Sequence, residues 1–281
     1  MRIVSLLPGA TETLFALGLR DSVVGVTHEC DHPAAARTLP RVTRPTLDLD
    51  GLDGGVIDAR VTAAAASGRA LYEVDPALLR ELAPDLVVAQ DVCRVCAVPA
   101  EQVLAELEGV RVLRQHPHSL AQVLEEMVEL AAACGVDAEP LVGDLRRRIA
   151  AAASARSGCK PVRGVFLEWL EPPYPAGHWT PDLLRLAGID DPLARPGLPS
   201  VATDWESVEA ARPELLLVAP CGFDLERARV EAERLAVRLS AVGPARIAVL
   251  DGSSYFNRPG PRLVESLEVL VREAASIMPC G

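Results

Sequence analysis

The amino-acid sequence predicts two α/β lobes with mainly parallel sheets, joined by a long helix. Three observations support this fold class. Short apolar runs alternate with helical patterns in the first part of the 281-residue chain, and the same alternation restarts after residue 158. The stretch between these parts has a helical pattern with one break. Alternating strands and helices are typical of parallel sheets with helices on their faces, and the length suits two ordinary domains.

The first lobe is expected to cover residues 1–118. Each predicted strand is short, rich in β-branched residues, bounded by turn residues and followed by a helix. The strands are predicted at Ile3–Leu7, Val23–Val26, Leu86–Ala89 and Val110–Leu113, and the helices at Ala10–Leu17, Pro76–Leu82 and Ala100–Leu107. This order favours a parallel sheet.

A helical connector is predicted over residues 119–158, with a break near Cys134–Asp137. Leu141, Leu145 and Ile149 recur every fourth residue, which is the spacing of one helix face. The segment that begins at Ser157 then ends the helix.

The second lobe, residues 159–281, repeats the alternation of the first. Its strands are predicted at Val162–Leu167, Glu214–Val218 and Arg246–Leu250, and its helices at Thr180–Ala187, Trp205–Ala211, Leu225–Leu239 and Pro261–Ile277. The two parts together predict two Rossmann-like lobes, with a ligand cleft between them.

Composition excludes several classes of function. The net charge of −11 argues against nucleic acid or an anionic membrane surface as a partner, because both require a basic face. No apolar run approaches the roughly 18 residues that membrane insertion requires. A predicted strand follows Met1 directly, without a secretory leader pattern, so we expect a cytoplasmic protein, or a periplasmic or extracellular one if Met1 replaces a leader. Seven cysteines, an odd number, argue against a disulfide framework.

Aromatic residues are concentrated where a ligand is expected. Ligands of open α/β sheets bind beyond the carboxyl ends of the strands, so the loops there are the candidate site. Six of the ten aromatic residues lie on these loops in the second lobe: Trp169, Tyr174, Trp179, Phe223, Tyr255 and Phe256. Trp169, Trp179 and Tyr255 are predicted to contact a ligand, whereas Phe223 is predicted to pack within the protein.

Four cysteines fall on the same loops. Cys93 and Cys96 form a CxxC motif, and Cys30 and Cys221 lie on loops that open towards the same cleft. Four converging thiolates would hold zinc or an iron–sulfur cluster, but small buried cysteines that line a pocket explain the pattern equally well. Both interpretations remain open.

Three histidines also occupy these loops, and other motifs are absent. His178 is the best candidate ligand among His28, His116 and His178, because Trp179 follows it in an aromatic setting. The chain has no Walker loop, no GxGxxG and no nucleophile elbow, so nucleotide binding and serine hydrolysis have no support.

Several segments resemble the cobalamin-binding branch of the ABC-transporter solute-binding proteins, which are two-lobed receptors with a helical backbone. The motifs point to a cysteine-containing subgroup, and the resemblance runs from about residue 2 to residue 278. The matching segments are Ser5–Thr13, His28–Asp31, Pro84–Gln90, Cys93–Val98, Glu168–Pro173, Gly177–Pro181, Pro220–Phe223 and Asp251–Arg262.

The resemblance implies a corrinoid ligand, or a related metal chelate, in the cleft between the lobes. Aromatic residues would cover the macrocycle, Pro8–Thr11 and Asp31 would meet its amide-bearing rim, and His178 would approach cobalt. The full predicted ligand-binding set is Pro8, Ala10, Thr11, Asp31, Trp169, His178, Trp179, Tyr255, Phe256 and Arg258.

The resemblance also implies an ABC permease as partner. Receptors of this kind offer one glutamate from each lobe to the permease; the second matches Glu206, but the first falls on Ala77. Two other functions remain: a cytosolic metalloprotein or enzyme that binds a metal through Cys30, Cys93, Cys96 and Cys221, and a sensor or scaffold that retains the receptor fold.

Overall fold

The computed structural model describes residues 1–90, 109–243 and 245–279. The chain forms two compact units. The first contains Met1–Leu52, Ala59–Pro117 and Val123–Asp144, and the second contains Asp53–Asp58, His118–Gln122 and Leu145–Gly281.

The first unit is built on a parallel sheet of four strands in the order β2-β1-β5-β6. These strands are β1 (Ile3–Ser5), β2 (Val23–Val26), β5 (Leu86–Gln90) and β6 (Arg111–Gln115). Ile3 pairs with Val23 on one side and with Leu86 on the other. Alternate residues of a strand face opposite sides, so Ile3 and Val4 enter two different apolar clusters. Both faces are therefore buried, as the continuous apolar runs predict.

Helices and a small hairpin complete the first unit. The helices are α1 (Pro8–Ala16), α2 (Gly54–Ala66), α3 (Pro76–Leu82) and α4 (Leu120–Cys134), and the antiparallel hairpin pairs β3 (Thr43–Pro45) with β4 (Tyr72–Val74). The start of α3 is fixed by the Asp75 side chain, which accepts hydrogen bonds from the backbone N–H groups of Ala77 and Leu78. Its end is fixed by Ala83, which adopts the left-handed conformation.

The second unit is built on a sheet of five strands in which β11, β10 and β7 run parallel. The strands are β7 (Val162–Leu170), β8 (Pro173–Pro175), β9 (Ile189–Asp190), β10 (Leu215–Val218) and β11 (Arg246–Val249). Both β8 and β9 pair with β7, β8 antiparallel near its end and β9 parallel at its start. Asp191 also bonds to β7, accepting a hydrogen bond from Phe166 N at 2.9 Å.

The first residues of α2 and α4 belong to the second unit. Among the described residues, seven more helices belong to this unit, the first of them in part and the others wholly. They are α5 (Glu139–Ser154), α6 (Thr180–Leu186), α7 (Trp205–Ala210), α8 (Leu225–Arg234), α9 (Ala236–Ala241), α10 (Gly252–Tyr255) and α11 (Leu263–Ile277). Asp204, Asp224 and Asp251 cap α7, α8 and α10 by accepting backbone hydrogen bonds at 2.7 to 2.8 Å. Arg148 in α5 forms two 3.0 Å hydrogen bonds with Glu268 in α11.

The predicted class of two α/β units with mainly parallel sheets is confirmed, and the differences are local. The predicted helix Leu225–Leu239 is two helices, α8 and α9, and the predicted helix Ala100–Leu107 lies outside the described residues. The stretch 119–158 contains α4 and α5, and the division into units cuts α5 between Asp144 and Leu145. In the described part of the chain, no helix is long and apolar enough to cross a membrane.

Candidate functional site

The carboxyl ends of β7, β10 and β11 share one edge of the second sheet, and the loops that follow them are bonded together. Cys221 N donates to Glu168 O at 2.8 Å, and Ser253 N donates to Phe223 O at 2.9 Å. Gly252 approaches the loop after β10 so closely that a Cβ there would lie 2.1 Å from Pro220 O. Only glycine fits this contact, so the loops at this edge form one packed surface.

Trp169 is a partly exposed aromatic residue at this edge. Its indole N–H donates to Glu171 O at 3.2 Å, and its ring lies 5.1 Å from the ring of Phe223. The Arg227 guanidinium lies 4.8 Å from the Phe223 ring centre, which is a cation–π distance. Phe223 is 9 % exposed, which agrees with the prediction that it packs within the protein. Trp169 is thereby held rigidly while part of its indole stays accessible.

Trp179 and Phe256, whose rings are predicted to cover a ligand, are buried in the structure, and that ligand contact stays a prediction. Phe256 is 2 % exposed and packs against Phe166, with 5.0 Å between ring centres. Trp179 is 8 % exposed, and its indole N–H donates to Phe256 O at 2.9 Å. Both side chains therefore join the loops to the core of the second unit.

Tyr255 and Arg258 follow the third parallel strand. Tyr255 is partly exposed at the end of α10, with the Arg262 guanidinium 5.9 Å from its ring centre. Arg258 is 7 % exposed and donates to Ser253 Oγ at 3.1 Å. Tyr255 is thus accessible to a ligand, whereas the buried Arg258 bonds to Ser253 in the same loop.

His178 lies in a strained loop beside this edge. Its backbone is left-handed, with φ of 50°, which is unusual for a residue other than glycine. The backbone N–H of His178 donates to Leu198 O at 2.8 Å, and its carbonyl accepts from Gly197 N at 3.1 Å. Its ring stacks on His118 at 5.7 Å and lies 5.6 Å from the ring of Trp179. The surrounding contacts hold the strain in place, a feature that is common at functional sites.

Glu168 lies on strand β7 and carries a carboxyl group. Its Oε1 accepts a hydrogen bond from Gly177 N at 2.9 Å, and the Thr180 side chain also bonds to it. Burial raises the pKa of Glu168 to about 7, because the hydrogen bonds from Gly177 and Thr180 lower it by less than burial raises it. The carboxyl therefore exchanges its proton near neutral pH.

The corresponding edge of the first sheet holds the other predicted contacts. Pro8 and Asp31 are partly exposed, as a ligand contact requires. Ala10 and Thr11 are 1 % and 0 % exposed, and their predicted contact with a ligand stays a prediction. The Thr11 hydroxyl lies 2.9 Å from Ser5 Oγ and 3.1 Å from Cys30 Sγ, so it completes a buried polar network.

The described cysteines do not form a metal site. Cys30 is a fully buried cysteine in the core of the first unit, and Cys221 is an exposed free thiol in the second. Cys93 and Cys96 lie outside the described residues. Among residues 1–90, 109–243 and 245–279, no group of three or more His, Cys, Asp or Glu side chains is placed to hold a metal ion. Cys159 is disulfide-bonded, although no disulfide is expected from the sequence.

The sequence interpretation overlooked a second group of ionisable residues. Glu231 is 3 % exposed, and its Oε1 accepts from Arg234 Nη2 at 2.6 Å and from Gly54 N at 2.9 Å. Arg234 also pairs with Glu171, next to the end of β7. Helix α8 is rich in charged residues, so its sequence pattern does not show that Glu231 is the buried one. Only the structure identifies this network.

Comparison with known proteins identifies the family. A family model described as periplasmic binding protein matches residues 3–253. The chain belongs to this family. As a periplasmic binding protein it is a solute-binding protein, and its two α/β units with mainly parallel sheets are those of the family.

Relatives of this periplasmic binding protein are named for the ligand they bind. The vitamin B12-binding protein of Vibrio cholerae is 26 % identical in an alignment that covers 95 % of this chain and 86 % of that protein. The vitamin B12-binding protein of Vibrio vulnificus is 24 % identical in an alignment that covers 98 % of this chain and 90 % of that protein.

Solved structures show the same fold. The periplasmic vitamin B12 binding protein of Vibrio cholerae has a TM-score of 0.70 at 22 % identity, covering 98 % of this chain and 97 % of that one. The periplasmic heme-binding protein RhuT of Roseiflexus sp. RS-1 has a TM-score of 0.72 at 24 % identity, covering 98 % of both chains. These comparisons do not support the prediction of a cytoplasmic protein, because the family and both structures are described as periplasmic.

Proposed function

We propose that this periplasmic binding protein binds a corrinoid such as cobalamin. The observation that carries the proposal is the similarity, over nearly the whole chain, to proteins named vitamin B12-binding protein. The sequence motifs around the strand ends support the same ligand, because they resemble the cobalamin-binding branch of the receptors.

Partly exposed aromatic residues are the side chains that we propose bind the corrin ring. A corrin is a large ring system with apolar faces, and aromatic side chains bind such ligands through buried area and ring-face contact. Trp169 and Tyr255 are partly exposed at the carboxyl edge of the second sheet, so we assign the macrocycle contact to them. Pro8 and Asp31 are the corresponding candidates on the first sheet. The prediction that the ligand lies in a cleft between the two lobes remains a prediction.

Trp169 is the residue whose removal tests the ligand contact, and Trp205 is its matched control. Both are partly exposed tryptophans of the second unit, but Trp205 lies in α7 beside Glu206, in a shallow groove of about 340 Å³. Trp169→Ala is expected to weaken cyanocobalamin binding about 30-fold, the loss expected for a central aromatic contact of about 2 kcal/mol. Trp205→Ala is expected to leave the affinity within about twofold.

The experiment is an absorbance titration of each protein with cyanocobalamin, hydroxocobalamin and hemin. Corrinoids are expected to shift the corrin spectrum at a stoichiometry of one per chain, and excess hemin is expected to compete weakly. Tighter binding of hemin than of both cobalamins would reassign the ligand to a heme. Equal losses in the two tryptophan variants would remove Trp169 from the site.

A metal centre on the cysteines is the alternative function. It would require Cys30 to leave the buried network in which Thr11 lies 3.1 Å from its sulfur. We therefore expect metal analysis of anaerobically purified protein to find neither iron nor zinc in stoichiometric amount. One zinc or several irons per chain, lost together in Cys30→Ser and Cys221→Ser, would favour the metalloprotein instead.

Delivery to an ABC permease is the partner interaction that we propose. Glu206 is exposed in the first turn of α7, as a docking residue must be. Ala77 occupies the other expected docking position and is exposed at the start of α3, but it carries no charge. The Glu206→Ala variant is expected to bind ligand normally but to lose stimulation of permease-driven transport.

A further inference from the structure

Glu168 sits where the ligand-binding edge of the second unit meets a strained loop, residues 176–180. Its strand is otherwise apolar here, with Leu167 and Leu170 buried on either side. The Glu168 carboxyl group reaches the 176–180 loop through two bonds: it accepts from Gly177 N at 2.9 Å, and Thr180 bonds to it through its hydroxyl. The loop between these two bonds carries His178 and Trp179.

The 176–180 loop has little freedom to rearrange around Gly177. A Cβ on Gly177 would lie 2.4 Å from Ser200 N and 2.9 Å from Leu198 O. The next residue, His178, is left-handed and is bonded in both directions to the segment 197–198. A strained backbone persists only where its surroundings hold it, and the Glu168 carboxyl group is one of these anchors.

We propose that Glu168 is the positioning residue of the 176–180 loop, and that loss of its proton loosens this loop and weakens ligand binding. The proposal rests on the proposed function only for its ligand-binding part. In the protonated form the carboxyl can stay buried and still accept from Gly177 N through its carbonyl oxygen. In the ionised form it carries a charge in a partly buried site, which favours conformations that admit water.

The pKa of Glu168 places the loss of its proton in the physiological pH range. Burial raises the pKa of Glu168 to about 7, and the two hydrogen bonds only partly offset the effect. Both forms are therefore populated near neutral pH, and raising the pH from 7 to 8 lowers the protonated fraction from about a half to about a tenth.

Other titratable groups lie on the elements around the loop and must be separated from Glu168 in any test. His178 on the loop and its stacked neighbour His118 are the two imidazole groups there, with ring centres 5.7 Å apart. Asp182 on α6 accepts a hydrogen bond from Leu120 N at 3.1 Å. Further groups are Asp191, which accepts from Phe166 N and whose pKa burial raises to about 6, and Arg195, whose backbone N–H donates to Ala176 O. The others are the thiol of Cys221 on the loop after β10, Glu171 at the end of β7 with its partner Arg234, and Asp251, which caps α10.

The first test needs no ligand. Trp169 and Trp179 flank the carboxyl and the loop, so the tryptophan fluorescence of the free protein is expected to change with a midpoint near pH 7. Glu168→Gln keeps an acceptor for Gly177 N but cannot ionise, so the transition should disappear. Glu126→Gln is the matched control, because burial also raises the pKa of Glu126 to about 7, but in the first unit, and this variant should keep the transition.

Thr180→Val provides a second variant of nearly the same shape. The Thr180 hydrogen bond lowers the pKa of Glu168, so its loss should move the fluorescence midpoint to higher pH. A transition that survives in Glu168→Gln would belong to another group, such as Asp191, which accepts from Phe166 N on the same strand, and would overturn the proposal. A wild-type signal that stays flat between pH 5.5 and 8.5 would overturn it as well.

The second test measures cyanocobalamin affinity against pH. Linkage of binding to one proton predicts that the wild-type affinity falls about fivefold between pH 7 and pH 8, while Glu168→Gln shows no such dependence. Tight binding with the same pH dependence in both proteins would overturn the positioning role. Absence of cobalamin binding, together with a fluorescence transition that Glu168→Gln removes, would refute the corrinoid proposal and support the positioning of the loop.

Discussion

The Phe256→Ala substitution distinguishes a core residue from a ligand-binding one. The Phe256 ring is 2 % exposed and lies 5.0 Å from the ring of Phe166, and its carbonyl accepts the Trp179 indole N–H at 2.9 Å. A buried phenylalanine removes about 150–250 Å² from water, and its truncation leaves a cavity that neighbouring rings fill only in part. We therefore expect the free energy of unfolding to fall by about 3–5 kcal/mol.

Tyr255→Ala is the matched control, since Tyr255 precedes Phe256 but is partly exposed. It should cost about 1 kcal/mol or less in stability and should weaken corrinoid binding instead. Urea unfolding followed by circular dichroism measures the stability, and cyanocobalamin titration without denaturant measures the affinity of the folded protein. The reasoning is refuted if Phe256→Ala unfolds like the wild type and loses more than tenfold in affinity.

Three further predictions follow from burial and charge. Burial raises the pKa of Glu126 from its usual 4.5 to about 7, so the folded protein holds a proton that the unfolded chain has lost, and stability should fall as pH rises through this window. Glu126→Gln should remove that dependence and be about 2 kcal/mol more stable than the wild type at pH 8; parallel pH profiles of urea midpoints would contradict this. Glu231→Gln should destabilise the second unit by about 1–3 kcal/mol in urea, because Arg234 loses a nearly buried partner, and an unchanged midpoint would show that the pair contributes nothing. Native alkylation with peptide mapping should label Cys221 rapidly and Cys30 only after unfolding, and fast labelling of Cys30 would contradict its complete burial.

The parallel strands were predictable from the sequence because their physical signal is strong. Strands that are covered on both faces are continuous apolar runs, and both Leu86–Ala89 and Leu215–Val218 are fully buried in the structure. Glycine, proline and aspartate mark the ends of these runs and the starts of the helices that follow. The order of strands and helices then predicts a parallel sheet in each unit.

The short antiparallel elements were not predictable by the same means. The hairpin β3-β4 has three residues in each strand, and β8 has three, too few for a period of two to be recognised. Helix α2 starts at Gly54 and Gly55, which normally indicate a turn, although it continues to Ala66. In these segments tertiary contacts decide the structure and local propensity does not.

The candidate site was predictable as a location but not in the orientation of its side chains. The sequence places aromatic residues and cysteines on the loops at the strand ends, and the role of these loops as a ligand site stays a prediction. Adjacent residues of a helical turn point about 100° apart, so the sequence could not show that Phe256 turns inward while Tyr255 stays accessible. The sequence also could not single out Glu168, because its raised pKa depends on burial that a sequence does not reveal.

Calorimetric titration of the protein with cyanocobalamin tests the central claim most directly. The account predicts one binding site per chain, with a dissociation constant at or below about 10 µM, as expected for a specific small-molecule ligand. Absence of heat, together with an unchanged corrin absorbance at tens of micromolar, would contradict a corrinoid-binding function.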